Sequence, residues 1–111
     1  MIEDYTQGAV RVLAPRAALT GEEAEALRDA AAKLPDAGRP LLVVDLASTP
    51  LIDSAGCEAL LDARDTVAEA GGSVSIAGAS SLSADILAAT GVDREFVCYA
   101  TVNEAVASFA R

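Results

Sequence analysis

Leu41-Leu42-Val43-Val44-Asp45-Leu46, followed after a short turn by Leu51-Ile52-Asp53-Ser54-Ala55-Gly56, decides the reading of this chain. The first stretch is an apolar run broken only by Asp45, the pattern of a strand covered on both faces in the middle of a sheet. Asp53 and Ser54 then stand where the chain turns into a helix. Residues 55–70 carry Cys57, Leu60, Leu61, Val67 and Ala68 at helical spacing, and Gly71-Gly72 supplies the stop. Such a corner brings the Ser54 hydroxyl near the free amides of the helix's first turn. Simple capping by Asp53 or Ser54 accounts for the same residues in structural terms.

The flanking sequence repeats this alternation. Ala9-Val10-Arg11-Val12-Leu13, between Gly8 and Pro15, is a strand pattern near the start of the sheet, and residues 2–6 are candidates to pair with it. Thr20-Gly21-Glu22-Glu23 has the capping-box form, in which the Thr hydroxyl and the Glu carboxylate satisfy exposed amides at a helix start. A helix to about Leu34 follows, its apolar stripe of Ala24, Leu27, Ala31 and Leu34 spaced by threes and fours, and Pro35, Gly38 and Pro40 end it. Val74-Ser75-Ile76-Ala77 alternates like a strand. Leu82, Ile86 and Leu87 pattern a short helix ended by Gly91, Glu95–Tyr99 forms a further strand, and Thr101 caps a last helix through Phe109. Strands alternating with helices imply parallel neighbours joined by crossovers, an α/β layered domain. No repeat or low-complexity tail interrupts residues 1–111, so one domain is expected.

Composition narrows the partners. Aromatic residues make up only 4% of a chain that is 52% hydrophobic, so the core is built from small aliphatic side chains. With 17 acidic against 8 basic residues, the formal charge of −9 repels phosphate backbones and anionic lipid, which disfavours nucleic acid and suits a basic protein partner or plain solubility. No segment approaches the run of about 18 apolar residues that spans a bilayer, and no leader-like pattern opens the chain, so a cytoplasmic protein without membrane insertion is expected.

Val43-Val44-Asp45-Leu46, the Asp53-Ser54-Ala55-Gly56 turn, Leu60-Leu61, Gly71-Gly72, Thr90-Gly91-Val92 and Asn103-Glu104-Ala105-Val106, in this order and at this spacing, resemble STAS domains. The likeness is to the bacterial anti-sigma factor antagonists, whose phosphorylatable serine follows the Asp of a D-S-[SA]-G motif, and it covers residues 9–109. It implies an α/β STAS-type domain with a mixed sheet of about four to five strands and about four helices. By the same resemblance Ser54 is the residue phosphorylated by an anti-sigma factor that is itself a serine kinase using Mg-ATP, and Asp53 helps to position it. The unphosphorylated form binds the anti-sigma factor and frees the sigma factor. The phosphorylated form lets go until a serine phosphatase restores it. The chain is then a substrate, with no catalytic residue or cofactor of its own. Family members commonly carry a Gly-x-Leu-Asp turn before the first helix that contributes to partner contact. Here Ala17-Ala18-Leu19-Thr20 keeps only the leucine, with Thr20 where the acid would stand. The alternative within the same fold is a non-switching subunit of an ABC-type phospholipid transport system or a signalling scaffold.

Several neighbours of Ser54 carry readings of their own. Gly56, without a Cβ, would let another chain or a nucleotide-bearing partner approach closely. Glu58, Asp62, Asp65 and Glu69, four, three and four apart, stack carboxylates along one helix face, either a docking stripe for a basic groove or a solvated surface. A Ser-His-Asp triad is excluded because the chain has no histidine. Asp45, Asp53 and Asp62 as a magnesium cluster would lack a glycine-rich phosphate loop, so structural and capping roles are favoured for them. Cys57, in the first turn of a helix, is a candidate redox sensor opposed by its acidic neighbours Asp53 and Glu58, and Cys98 in an apolar strand is expected in the core.

Overall fold

The hairpin at Gly8, the buried run at Leu41 and the helix that starts at Ser54 become a five-stranded sheet in strand order 1-2-3-4-5. The computed structural model describes residues 1–34 and 38–110; the expected helix stop at Pro35 lies outside them. Strand β1 (Ile2–Gln7) runs antiparallel to β2 (Val10–Pro15), in register from Ile2 opposite Pro15 to Gln7 opposite Val10. Gly8, at φ +62°, makes the reversal. Strands β3 (Leu41–Asp45), β4 (Ser73–Ala77) and β5 (Val97–Tyr99) then follow in parallel. The crossovers are α1 (Gly21–Ala32), α2 (Ser54–Glu69) and α3 (Ser81–Thr90), and α4 (Val102–Ser108) follows β5.

Sheet order that always advances in one direction, with crossovers of one hand, puts the crossover helices on one face. The alternating residues show it. Leu13, Leu42, Val44 and Ile76 pack with Leu27, Leu60 and Leu87 of the three crossover helices. Their neighbours Val12, Val43 and Ala77 point the other way and pack under Ala105 of α4. Strand β3 is therefore apolar on both sides, which is why its sequence runs without alternation. Each fully buried leucine of this kind contributes about 1.5–3 kcal/mol of burial.

The expected elements differ from the observed ones in four respects. The capping box at Thr20 does not form: Thr20 takes the N-cap backbone position without a side-chain hydrogen bond. The Glu23 carboxylate instead accepts from the Arg16 amide at 3.0 Å and pairs with the Met1 amine, a tertiary attraction that replaces the local one. Residues Val92–Glu95 form a 3-10 turn, so β5 begins at Val97 rather than Glu95. As an edge strand β5 exposes Cys98, which corrects the expectation that this thiol lies in the core. Leu82, read as part of an apolar stripe, is 53% exposed, whereas Leu87 of the same helix is buried.

Candidate functional site

The corner between β3 and α2 is assembled from two loops. The chain leaves β3 at Asp45, whose Oδ1 accepts the Ala47 amide at 3.0 Å. It reaches Ile52, which forms an isolated parallel bridge with Leu19 of the loop between β2 and α1. The Leu19 amide donates to the Leu51 carbonyl at 2.9 Å, and the Asp53 amide donates to the Leu19 carbonyl at 3.4 Å. Leu19 and Ile52 are buried, so the rim of the site rests on the core rather than on solvent.

Ser54 is exposed and is the first residue of α2. Asp53 is the N-cap, extended at φ −100° and ψ −172°, and its Oδ1 accepts the Gly56 amide at 2.9 Å. Its carbonyl accepts the Cys57 amide at 3.0 Å. The capping duty thus falls on Asp53, and the Ser54 hydroxyl is left for other chemistry. The amides of Ser54 and Ala55, at the first two helical positions, have no intrahelical acceptor and lie at the positive end of a 16-residue helix. An anionic group placed there would meet those donors and lie next to the Asp53 carboxylate.

Gly56 does not serve close approach of a partner. It is buried, and a Cβ added to it would run into the carbonyl oxygen of Leu19 and lie 2.7 Å from Cγ2 of Ile52. The missing side chain lets α2 seat on the loop that carries Leu19. The reversed expectation has a clear cause, since a sequence shows that a Cβ is absent but not which neighbour needs the room.

The acidic stripe on α2 is partly neutralised within the chain. Arg28 of α1 donates through Nε to Asp62 at 2.9 Å and through Nη1 to Glu25 at 3.3 Å, and its Nη2 lies 3.9 Å from Glu58. The Asp62 hydrogen bond is the main cause of a raised Arg28 pKa. Arg64 donates to Asp65 at 3.0 Å, pairs with Glu95 and stacks its guanidinium 5.9 Å from the Phe96 ring centroid. Glu58, Asp62, Asp65 and Glu69 are all exposed, but three of them already face a cation. Among the described residues no group of three or more Asp, Glu or Cys side chains could hold a metal ion. Asp45, Asp53 and Asp62 are engaged separately, with Ala47, Gly56 and Arg28.

Cys57 is buried in the first turn of α2, with Sγ 3.9 Å from the Thr90 hydroxyl. Burial, and secondarily the charge of Asp93, push the exposed Cys98 thiol's pKa up. Sequence reasoning passed over Thr49 and Ser83, both buried, whose hydroxyls tie the corner to its surroundings: Thr49 Oγ1 donates to the Pro15 carbonyl at 3.4 Å and Ser83 Oγ to the Thr49 carbonyl at 3.0 Å. Ser80, Ser81 and Ser83 crowd the start of a short helix, and no period marks which of them is buried. No helix among the described residues is long and apolar enough to cross a membrane.

Comparison with known proteins places this geometry. The structure superimposes on a Thermotoga maritima protein described as an anti-sigma factor antagonist, with a TM-score of 0.86, 19% identity, and coverage of 99% of this chain and 95% of that one. An anti-sigma-factor antagonist (STAS) domain protein from Planctomyces limnophilus matches at 0.83 and 19% identity, over 99% of this chain and 98% of that one. The STAS domain of a SulP transporter from Vibrio cholerae matches at 0.73 and 20% identity, over 89% and 79% of the two chains. Comparison with curated proteins found no match. At these identities the structural likeness speaks to the fold. The family model for the STAS domain matches residues 1–105, nearly the whole chain, and on that match the chain belongs to the STAS domain family.

Proposed function

We propose that this chain is an anti-sigma factor antagonist, a protein-binding switch set by phosphorylation of Ser54. Unphosphorylated, it binds an anti-sigma factor serine kinase and releases the sigma factor. Phosphorylated by that kinase from Mg-ATP, it dissociates, and a serine phosphatase resets it. The observation that carries the reading is the division of labour at the corner. Asp53 supplies the cap, so the exposed Ser54 hydroxyl is available to a kinase, and two free amides stand beside it. The added charge of about −1.5 to −2 lies beside the Asp53 carboxylate with no cation paired to it among the described residues, so the spot becomes more negative and charge-sensitive docking contacts are altered there.

The partner surface in this reading comprises the Ser54 corner, Thr20 at the adjoining start of α1, and the outward carboxylates Glu58, Asp62, Asp65 and Glu69 of α2. Incubation with Mg-ATP and each candidate anti-sigma kinase, read by mass spectrometry, tests the proposal. Phosphate on Ser54 in the wild type, absent in Ser54→Ala, supports it. No incorporation with any of them turns the reading toward a non-switching transport subunit or scaffold. That second reading draws on one observation, the threonine at position 20 where family members commonly carry an acid that contributes to partner contact, a departure that bears on partner and kinase recognition.

A further inference from the structure

The loop that leads to Ser54 is held by a buried pair of hydroxyl groups. Ser83 is 0% exposed and Thr49 is 1% exposed. Ser83 lies in the first turn of α3 and has no preceding helical turn whose carbonyl could take its hydroxyl. Ser83 reaches out of α3 instead and donates to the Thr49 carbonyl at 3.0 Å, while its own amide donates to the N-cap oxygen of Ser80 at 3.3 Å. The same residue thus closes the first turn of α3 and clamps the loop before α2. From Thr49 the chain passes through Leu51 and Ile52, tied to Leu19, to Asp53.

We infer that Ser83 is a positioning residue that couples the first turn of α3 to the charge state of Ser54, an inference that rests on the phosphoacceptor reading of Ser54. A phosphoryl group on Ser54 repels the Asp53 carboxylate and competes with it for the amides of α2. Movement of that cap is passed along the short segment to Thr49, whose carbonyl is the acceptor of the Ser83 hydroxyl. The response emerges on α3 beside Leu82, which stands 53% exposed. Coupling of this kind is reciprocal, so a protein bound against the first turn of α3 changes the presentation of Ser54 by the same factor.

The test is amide hydrogen exchange followed by NMR on the full chain, in wild type, Ser83→Ala, and the equally shaped pair Ser83→Thr and Ser83→Val. Each is prepared with serine and with phosphoserine installed at position 54 during translation. Ser83→Val is expected to speed exchange at Thr49, Asp53 and Gly56 about tenfold or more relative to Ala105 in α4, the scale of a lost buried hydrogen bond. Ser83→Thr keeps the hydroxyl and retains the protection. Phosphoserine at position 54 shifts the Ser83 and Ala84 amides in wild type and in the Thr variant but not in the Val variant. Equal protection in the Val and Thr variants overturns the inference. So does an α3 response that is missing in wild type or unchanged in Val. Should the Val variant fail to fold, Ser83→Ala, which adds no bulk, serves as the donor deletion. Because the phosphate is installed without a kinase, a failed kinase assay and a failed coupling are separate results.

Discussion

Gly56 of α2 rests directly on the carbonyl of Leu19, in the neighbouring loop, with no space between them for a methyl group. That contact joins the two loops that frame Ser54, and both rest on the core through Leu19 and Ile52. The presentation of the serine is therefore tied to the packing of the domain.

Gly56→Ala should destabilise the whole fold. The neighbours are main chain and a buried isoleucine, neither of which can move aside easily, so a loss of about 1–3 kcal/mol is expected from overpacking. Urea unfolding followed by circular dichroism measures it. A midpoint equal to that of wild type would show that α2 can shift outward at no cost.

Asp53→Ala removes the only side-chain cap of α2 and should cost about 1 kcal/mol, with Asp53→Asn retaining most of the stability. The same denaturation experiment separates the two. With phosphoserine at position 54 the cost of Asp53→Ala should shrink, because the phosphate can take over the amides and a repulsive neighbour is gone. An undiminished penalty would place the phosphate away from the helix start.

Arg28→Gln leaves Glu58 and Asp62 without their cation and increases repulsion along α2. Its thermal midpoint should fall at low ionic strength and return toward wild type in 1 M salt, where screening acts over about 3 Å. A salt-independent deficit would mean that the packing of the Arg28 stem, and not its charge, is what the helix pair needs.

Cys98 is exposed but holds its proton more tightly than an ordinary thiol, because partial desolvation of the sulfur and the nearby Asp93 both disfavour the thiolate. Alkylation by iodoacetamide should therefore rise with pH later than for a free cysteine, and Asp93→Asn should move that rise to lower pH. Peptide mapping of the native protein should find label at Cys98 and little at the buried Cys57. Preferential labelling of Cys57 would contradict the burial of the first turn of α2.

Much of the fold was legible because it follows from periods. The short apolar run at Leu41, broken only by Asp45, suits a strand covered twice, and Gly71-Gly72 and Gly91 ended helices where the pattern stopped. Gly91 takes the left-handed conformation at φ +78°, and a Cβ on Gly72 would crowd Val67 at 2.8 Å. The strand-to-helix corner at Ser54 was legible for the same reason. Thr20 misled because Glu23 found tertiary partners stronger than the local capping box. Cys98 misled because an apolar tripeptide reads alike in a central and in an edge strand.

The sequence by itself determined the order of elements, the α/β class and the place of Ser54 at a helix start, since these depend on spacing and local backbone preference. Only the tertiary structure decided that Asp53 rather than Ser54 caps α2, that Gly56 makes room for Leu19, that Arg28 quiets the acidic stripe, and that Ser83 reaches Thr49. Each of those facts is a contact between segments distant in the chain, or a choice among equally local acceptors. Such outcomes are set by which backbones and side chains the packed core brings within a few ångströms of one another.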